Sequence, residues 1–228
     1  MRYIAIMMLF MLVMGATAHQ PFFEDVDITS EDPWFVADPT ISTAIYATLD
    51  GPEDVDYYSF NATRGQTVLL SMVIPQIEGH ENFTPMMALM GRGLAPARPP
   101  DRVFKPEGYG TMVLMPPVNA SVFFEPFTRT SYWTRQRELV KIPADGQYLV
   151  AVWDAAGRTG RYVFVIGDRE VPGGDLAFPL RIRGYWRPPE EAKQNMSRNV
   201  STPIAQPSPG AAAASICMLL AFLLKRKR

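Results

Sequence analysis

The stretch Asp54-Val55-Asp56-Tyr57-Tyr58-Ser59-Phe60 constrains the fold more than any other part of the chain; it is entered from the turn Asp50-Gly51-Pro52 and followed by the turn Arg64-Gly65. As an extended strand it sets Val55, Tyr57 and Ser59 on one face and Asp56, Tyr58 and Phe60 on the other, so aromatic bulk is available to both sides of a sheet. Two apolar faces suit a sandwich. Residues 66–75 (QTVLLSMVIP) are likewise dense enough in Val, Leu, Met and Ile for burial on both faces, whereas residues 44–49 alternate Ile45, Ala47 and Leu49 with Ala44, Tyr46 and Thr48, as a half-buried strand does. Shorter strand-like runs occupy 86–90, 110–116, 121–126 and 139–142. Runs 147–154 and 161–167 flank a Gly-containing turn and read as a hairpin. Residues 76–106 carry Pro85, Pro96, Pro99 and Pro100 and cannot hold a regular ladder. No stretch of 19–186 keeps apolar residues at helical spacing over three turns, so the domain is expected to be all-β, with Trp34 and Trp153 in its core.

Two motifs in order carry a family resemblance. The opening Glu53-Asp54-Val55-Asp56-Tyr57-Tyr58-Ser59-Phe60 and the ending Asp145-Gly146-Gln147-Tyr148, strand, turn, Gly160-Arg161-Tyr162-Val163-Phe164 resemble the signatures of the bacterial and archaeal pre-peptidase C-terminal (PPC-like) domain. The resemblance spans roughly 43–167. It implies an extracellular, antiparallel, jelly-roll-like β-sandwich that serves as an accessory module rather than a catalyst. Residues 76–106 are an insertion relative to the compact family domain, which leaves the strand number open.

The two ends bound the location. Arg2, the apolar run 3–14 and the small-x-small site Ala16-Thr17-Ala18 read as a signal peptide over 1–18, leaving His19 as the first mature residue. Residues 187–209 are polar, with Pro188, Pro189, Pro203, Pro207 and Pro209, and read as a stalk. Residues 210–228 are an uncharged apolar run closed by Lys225-Arg226-Lys227-Arg228, the pattern of an apolar anchor helix with its basic end in the cytoplasm. The run 210–224 gives roughly 22 Å of helix against a hydrocarbon core of about 30 Å. The tail also resembles sortase or archaeosortase sorting signals, although Pro209-Gly210 lacks the Phe that often follows in archaea. Either route puts the domain on the extracellular face of the cell membrane, with the membrane as a partner through the tail.

Composition narrows the chemistry. Setting aside the five basic residues of the two ends leaves 17 against 23 acids, near −6, and no basic patch for nucleic acid. The single cysteine, Cys217, lies in the tail, so the domain has no disulfide framework and no Cys nucleophile. Two histidines, no G-x-S-x-G, no H-E-x-x-H and no Gly-rich phosphate loop argue against an enzyme. A hydrolase working with carboxylates alone is the minority alternative.

The densest aromatic stretch, 123–133, supplies the ligand-binding candidates Phe127, Arg129, Tyr132 and Trp133, suited to stacking on sugar rings or gripping a peptide. Packing against Trp153 explains the same residues as core. Acidic turns, with Asp50, Asp54 and Asp56 foremost and Asp25, Asp27, Glu31, Asp32 and Glu53 beside them, offer the hard oxygen ligands of Ca²⁺; solvated turn acids are the alternative. The family resemblance adds that related collagen-binding modules bind Ca²⁺ near their N-terminal linker. His19, as a mature N-terminus, presents an amine and an imidazole that suit copper, with His80 the one other imidazole. No other cofactor is expected. Sequons at Asn61, Asn119, Asn195 and Asn199 are candidate glycosylation sites, and Pro85 is expected to hinder a fifth at Asn82. The expectation is a non-catalytic, surface-anchored β-sandwich for adhesion, envelope structure or binding of an envelope glycan or surface protein. An exported metal-binding protein is the alternative.

Overall fold

The computed structural model describes residues 19–186; the expected signal peptide, stalk and anchor, with Asn195 and Asn199, lie outside them. The strands are β1 (Gln20–Phe23), β2 (Trp34–Val36), β3 (Thr43–Leu49), β4 (Asp56–Ala62), β5 (Thr67–Pro75), β6 (Met86–Gly91), β7 (Gly110–Leu114), β8 (Ser121–Glu125), β9 (Thr130–Lys141), β10 (Gly146–Trp153) and β11 (Gly160–Ile166), followed by helix α1 (Phe178–Tyr185). They build an all-β sandwich from a six-stranded sheet, β1-β3-β11-β5-β9-β8, and a five-stranded sheet, β2-β4-β10-β6-β7.

The two-faced strands read from the sequence are the central ones. Tyr58 and Phe60 of β4 point between the sheets, where Tyr58 stacks on Phe164 at 4.3 Å and Phe60 on Tyr148 at 5.7 Å. Met72, Leu89, Val150 and Tyr162 complete that inner core. The opposite face of β4 and β10 carries Tyr57, Leu149, Ala151 and Trp153, covered by Val103 of the Pro-rich insertion and by Tyr109 just after it. That insertion is a lid on the outer face, and its single strand is β6.

Four expectations are corrected. The runs flanking 155–160 are not a hairpin: β10 lies between β4 and β6, and β11 between β3 and β5 in the other sheet. The turn is shaped by Asp154, whose Oδ1 accepts from the backbone N–H groups of Ala156 at 2.9 Å and Arg158 at 3.2 Å, and it carries the chain from one sheet to the other. The sheets are not wholly antiparallel, because β1 runs parallel to β3 and β2 parallel to β4. Strand β3 is buried on both faces, since Phe178 of α1 packs on Tyr46 while Ile45 and Ala47 face the inner core. And 171–186, part of a domain expected to be all-β, contains α1, which starts with Pro in its first turn and seats Phe178 and Ile182 on the outer face of the six-stranded sheet.

Candidate functional site

Two places gather chemistry. The first is an acidic junction at one end of the sandwich, where the chain leaves β1, crosses between sheets and later enters β4. Glu24 follows β1, and its Oε2 accepts from the Thr48 N–H at 2.8 Å. Asp56 opens β4 with its side chain inward; it is fully buried, and its Oδ2 accepts from the Tyr162 hydroxyl at 2.5 Å, which is itself 2.7 Å from the Tyr58 hydroxyl. Glu24, Asp27 and Asp56 each bring a carboxylate oxygen within 4.8 Å of the others. Glu24 Oε1 and Asp56 Oδ1 are buried without a hydrogen-bond partner.

Burial dominates the electrostatics. Desolvation, reinforced by Asp27 and Asp54, pushes the Glu24 carboxyl up to about 7 against the pull of the Thr48 N–H. Desolvation, with Glu24 as the strongest charged neighbour, pushes Asp56 up to about 9 although the Tyr162 hydroxyl pulls it down. Asp54 is raised for the same reason, and its Oδ2 accepts from the Asp50 N–H at 2.7 Å. Three hard carboxylates, two with unused buried oxygens, fit a calcium-like cation in charge and donor type. Of the residues singled out in the sequence, Asp56 and Asp27 are in this set, Asp54 is beside it, and Asp50 contributes its backbone to the turn. Glu24 was passed over because the parallel pairing that carries it there has no sequence signature.

His19 is not in the set. Its Nδ1 lies 2.5 Å from Ser42 Oγ, and Gln20 pairs with Thr43, whereas Glu24 bonds to Thr48, about 17 Å further along β3 at strand rise. His80 is near the Glu24 end, its Nε2 accepting from the Arg161 N–H at 2.9 Å while Arg161 pairs with Thr48. The two imidazoles therefore do not converge.

The second place is a groove of about 370 Å³ on the outer face of the six-stranded sheet. It exists because α1, eight residues long, covers only part of that face. Ala44, Ser71, Val73 and Val165 from three neighbouring strands form its floor, and Tyr46, Tyr132 and Phe123 are its aromatic walls. Its charged groups are His19, Glu125 and Arg137, close enough that Glu125 and Arg137 act on the imidazole in opposite directions; burial outweighs both and holds His19 below its usual value. Glu125 is partly engaged, accepting from the Phe127 and Thr128 N–H groups at 3.1 and 2.6 Å.

The four aromatic-cluster candidates are split between faces. Tyr132 and Trp133 are successive residues of β9 and point to opposite sides. Tyr132 is buried in the groove wall, stacked on Phe123 at 5.4 Å. Trp133 packs against the inner core, with Arg135 5.5 Å over its ring. Phe127, half exposed, stacks on Phe178 of α1 at 5.8 Å. Arg129 has φ 55° and closes the β8–β9 turn. Trp153, the expected packing partner, lies on the outer face of the other sheet. Asn61, Asn82 and Asn119 are all exposed; Asn82 differs in adjoining a buried Phe83 and a Thr84 whose hydroxyl accepts from Arg158 at 2.7 Å.

No protein-family model and no curated protein matches this chain. Among solved structures it is similar to the pre-peptidase C-terminal domain of a Bacillus anthracis collagenase, at 14% identity and TM-score 0.34, covering 59% of this chain and 94% of that one. A likeness also appears to Aeromonas hydrophila PliG, a periplasmic inhibitor of g-type lysozyme, at 13% identity and TM-score 0.31 over 66% of this chain and 98% of that one. A further one is to MopE, a secreted copper-binding protein of Methylococcus capsulatus, at 13% identity and TM-score 0.24 over 50% of this chain and 70% of that one.

Proposed function

We propose that this chain is a non-catalytic binding module held at the extracellular face of the cell membrane, and that the groove beside α1 seats its ligand. The groove's composition carries the reading: a floor of small and β-branched side chains, aromatic walls and a few charged groups, the usual make-up of a ligand site. Phe123 and Tyr132 stack on each other, which takes one face of each ring out of reach of a sugar. An apolar peptide segment of an envelope protein is therefore the favoured ligand over a glycan. The export signal and basic-ended tail of the sequence supply the location.

The test is a peptide and glycan array with residues 19–186, followed by titration of the strongest hit against Thr134→Trp. Thr134 is a half-buried groove residue, and the larger ring fills the groove without burying a charge. Affinity is expected to fall at least tenfold with the melting temperature within a few degrees. Unchanged affinity places the ligand elsewhere.

A second, compatible reading concerns the acidic junction. The unpaired buried oxygen of Asp56, beside that of Glu24, favours a calcium-like cation bracing the crossing between the sheets. Glu24, Asp27 and Asp56 would hold it, and it would supply charge neutralisation rather than chemistry on a substrate.

A further inference from the structure

An outermost strand presents unpaired backbone donors and acceptors, and proteins blunt such edges by covering them, keeping them short or charging them. Three of the four sheet edges here are blunted by the chain itself. Strand β1 is covered by the segment after β11: the Asp175 N–H donates to the Pro21 carbonyl at 2.7 Å, and the Gln20 side-chain amide donates to the Val171 carbonyl at 3.3 Å. Strand β2 has three residues. Strand β7 is closed by the Pro-rich insertion, the Thr111 N–H donating to the Ala95 carbonyl at 2.8 Å. Strand β8 has none of these protections. Val122, Phe123 and Phe124 are 56%, 41% and 58% exposed, and the strand's one charge is Glu125. Among the described residues, no backbone hydrogen bond outside the sheet ladders reaches it. Strand β9 lies over β7, as the Gln136 amide donating to the Leu114 carbonyl at 3.3 Å shows, so β8 overhangs the smaller sheet. Val122 and Phe124 share the inward side with Trp133 but have no strand beneath them. The crossing from β7 adds Met115 and Val118, both well exposed. Whatever covers this edge has to cover side chains as well as backbone.

The same crossing carries the sequon Asn119-Ala120-Ser121, and its placement sets it apart from the other two among the described residues. Asn61 lies in the β4 ladder opposite Gln147, and Thr63, which completes its sequon, is held in a turn by its N–H donating to Gln66 Oε1 at 3.1 Å. The Asn82 sequon has the buried Phe83 at its centre and a Thr84 hydroxyl taken by Arg158. Asn119 belongs to no strand, and both it and Ser121 are exposed. At strand rise, Asn119 is about 10 Å from Val122 and about 17 Å from Phe124.

We propose that Asn119 carries an N-linked glycan and that this glycan is the cover of the β8 edge. In the transfer, Asn119 Nδ2 attacks C1 of a sugar held on a polyprenyl phosphate or pyrophosphate. The C1–N bond forms, the C1–O bond breaks with its electron pair going to the phosphate, and Nδ2 gives up one proton. The product is bulky, polar and confined to the surface. Its pyranose C–H faces lie over Val122 and Phe124, its hydroxyls meet the open N–H and C=O groups of β8, and its bulk keeps another strand from the edge. The sequon is the feature that names the occupant: a glycan at this position leaves no room for a docking protein or a bilayer on the same side chains. Phe123, turned into the groove against Tyr132, is left to the ligand site.

The test uses the full-length chain made in its native host and recovered from the cell envelope, which separates a missing glycan from missing export. Peptide mass spectrometry should find the Asn119 peptide heavier by a glycan, and Asn119→Gln should remove that increment. Shielding is read in a Cys217→Ser background, which lacks the native thiol, by the rate at which a polymer-linked maleimide labels Val122→Cys on isolated envelopes. Adding Asn119→Gln should speed that labelling about tenfold. It should leave Leu139→Cys, an exposed position on β9 beyond the reach of β8, within about twofold. An unmodified Asn119 overturns the proposal. So does labelling of Val122→Cys that is equally fast with and without the glycan, or equally slow because a protein or the bilayer covers the strand.

Discussion

Asp56 is the residue where sequence and structure say most about each other. Its place at the head of an aromatic strand is legible in the sequence, and so is the face it shares with Tyr58 and Phe60, but not that this face is the inward one. Full burial beside Glu24 was not legible, because it depends on a strand, β1, that pairs with β3 across the nineteen intervening residues 24–42. The energetic consequence has a definite sign. Both carboxyls are raised above their unfolded values, to about 7 for Glu24 and about 9 for Asp56, so folding favours their protonated forms. The stability this contributes is fully present below the ordinary carboxylate range and is lost as pH rises through about 7 and then about 9. With chelator present, the melting temperature of residues 19–186 should fall between pH 5 and pH 9. Millimolar Ca²⁺ should remove most of that fall, since a cation takes the place of the protons. Asp56→Asn keeps an acceptor for Tyr162 and removes the charge. At pH 8 in chelator it should raise stability by on the order of 1–3 kcal/mol, or several degrees, and abolish the response to Ca²⁺. A melting temperature that climbs with pH and ignores Ca²⁺ contradicts the cation reading.

At the scale of elements, strands whose residues alone demand burial were readable: β4, β5, β10 and β11 carry continuous Val, Leu, Tyr and Phe. Which sheet each strand joins was not readable, because a turn such as 155–159 has the same Gly-containing composition whether it closes a hairpin or crosses between layers. Here Asp154 decides, through backbone and Arg158 bonds that composition does not reveal. Helix α1 escaped because two turns are too short for a periodic signal and its helical fit rests on Phe178 packing against Phe23 at 5.1 Å and Tyr46 at 5.0 Å. Strand β9 holds an unopposed Arg135 between the partners of Met72 and Val73, a bulge that brings both Gln136 and Trp133 inward. The two tryptophans of the strand pairs should accordingly separate in a denaturation experiment. Trp153→Ala empties a fully buried site under the Pro-rich lid and should cost about 3–5 kcal/mol. Trp133→Ala, at a half-buried site, should cost distinctly less. Equal losses contradict the assignment of the two rings to different environments.

For the whole molecule, the ordering of motifs was enough to anticipate an all-β sandwich, whereas the ends that carry the expectation of export lie outside the described residues. The groove was not anticipated as a site. Its floor comes from β3, which reads as half-buried, and from the apolar β5 and β11, and only the shortness of α1 leaves that part of their outer face open. Of the four aromatic-cluster residues, Tyr132 alone lines it. The aromatic density that drew attention to 123–133 thus reflects three separate jobs: a groove wall, an inner core ring and a turn packed on α1. Residues 19–186 contain the three hydrophobic cores of the sandwich and suit solution work as a unit. Backbone amide shifts of that domain, followed by nuclear magnetic resonance while the strongest array peptide is added, test the central claim most directly. The account predicts shifts concentrated at Ala44, Ser71, Thr134 and Val165, on four adjacent strands of the six-stranded sheet that together line the groove. Shifts centred on residues 92–109 or on Glu24, Asp27 and Asp56, with those four amides unmoved, contradict it.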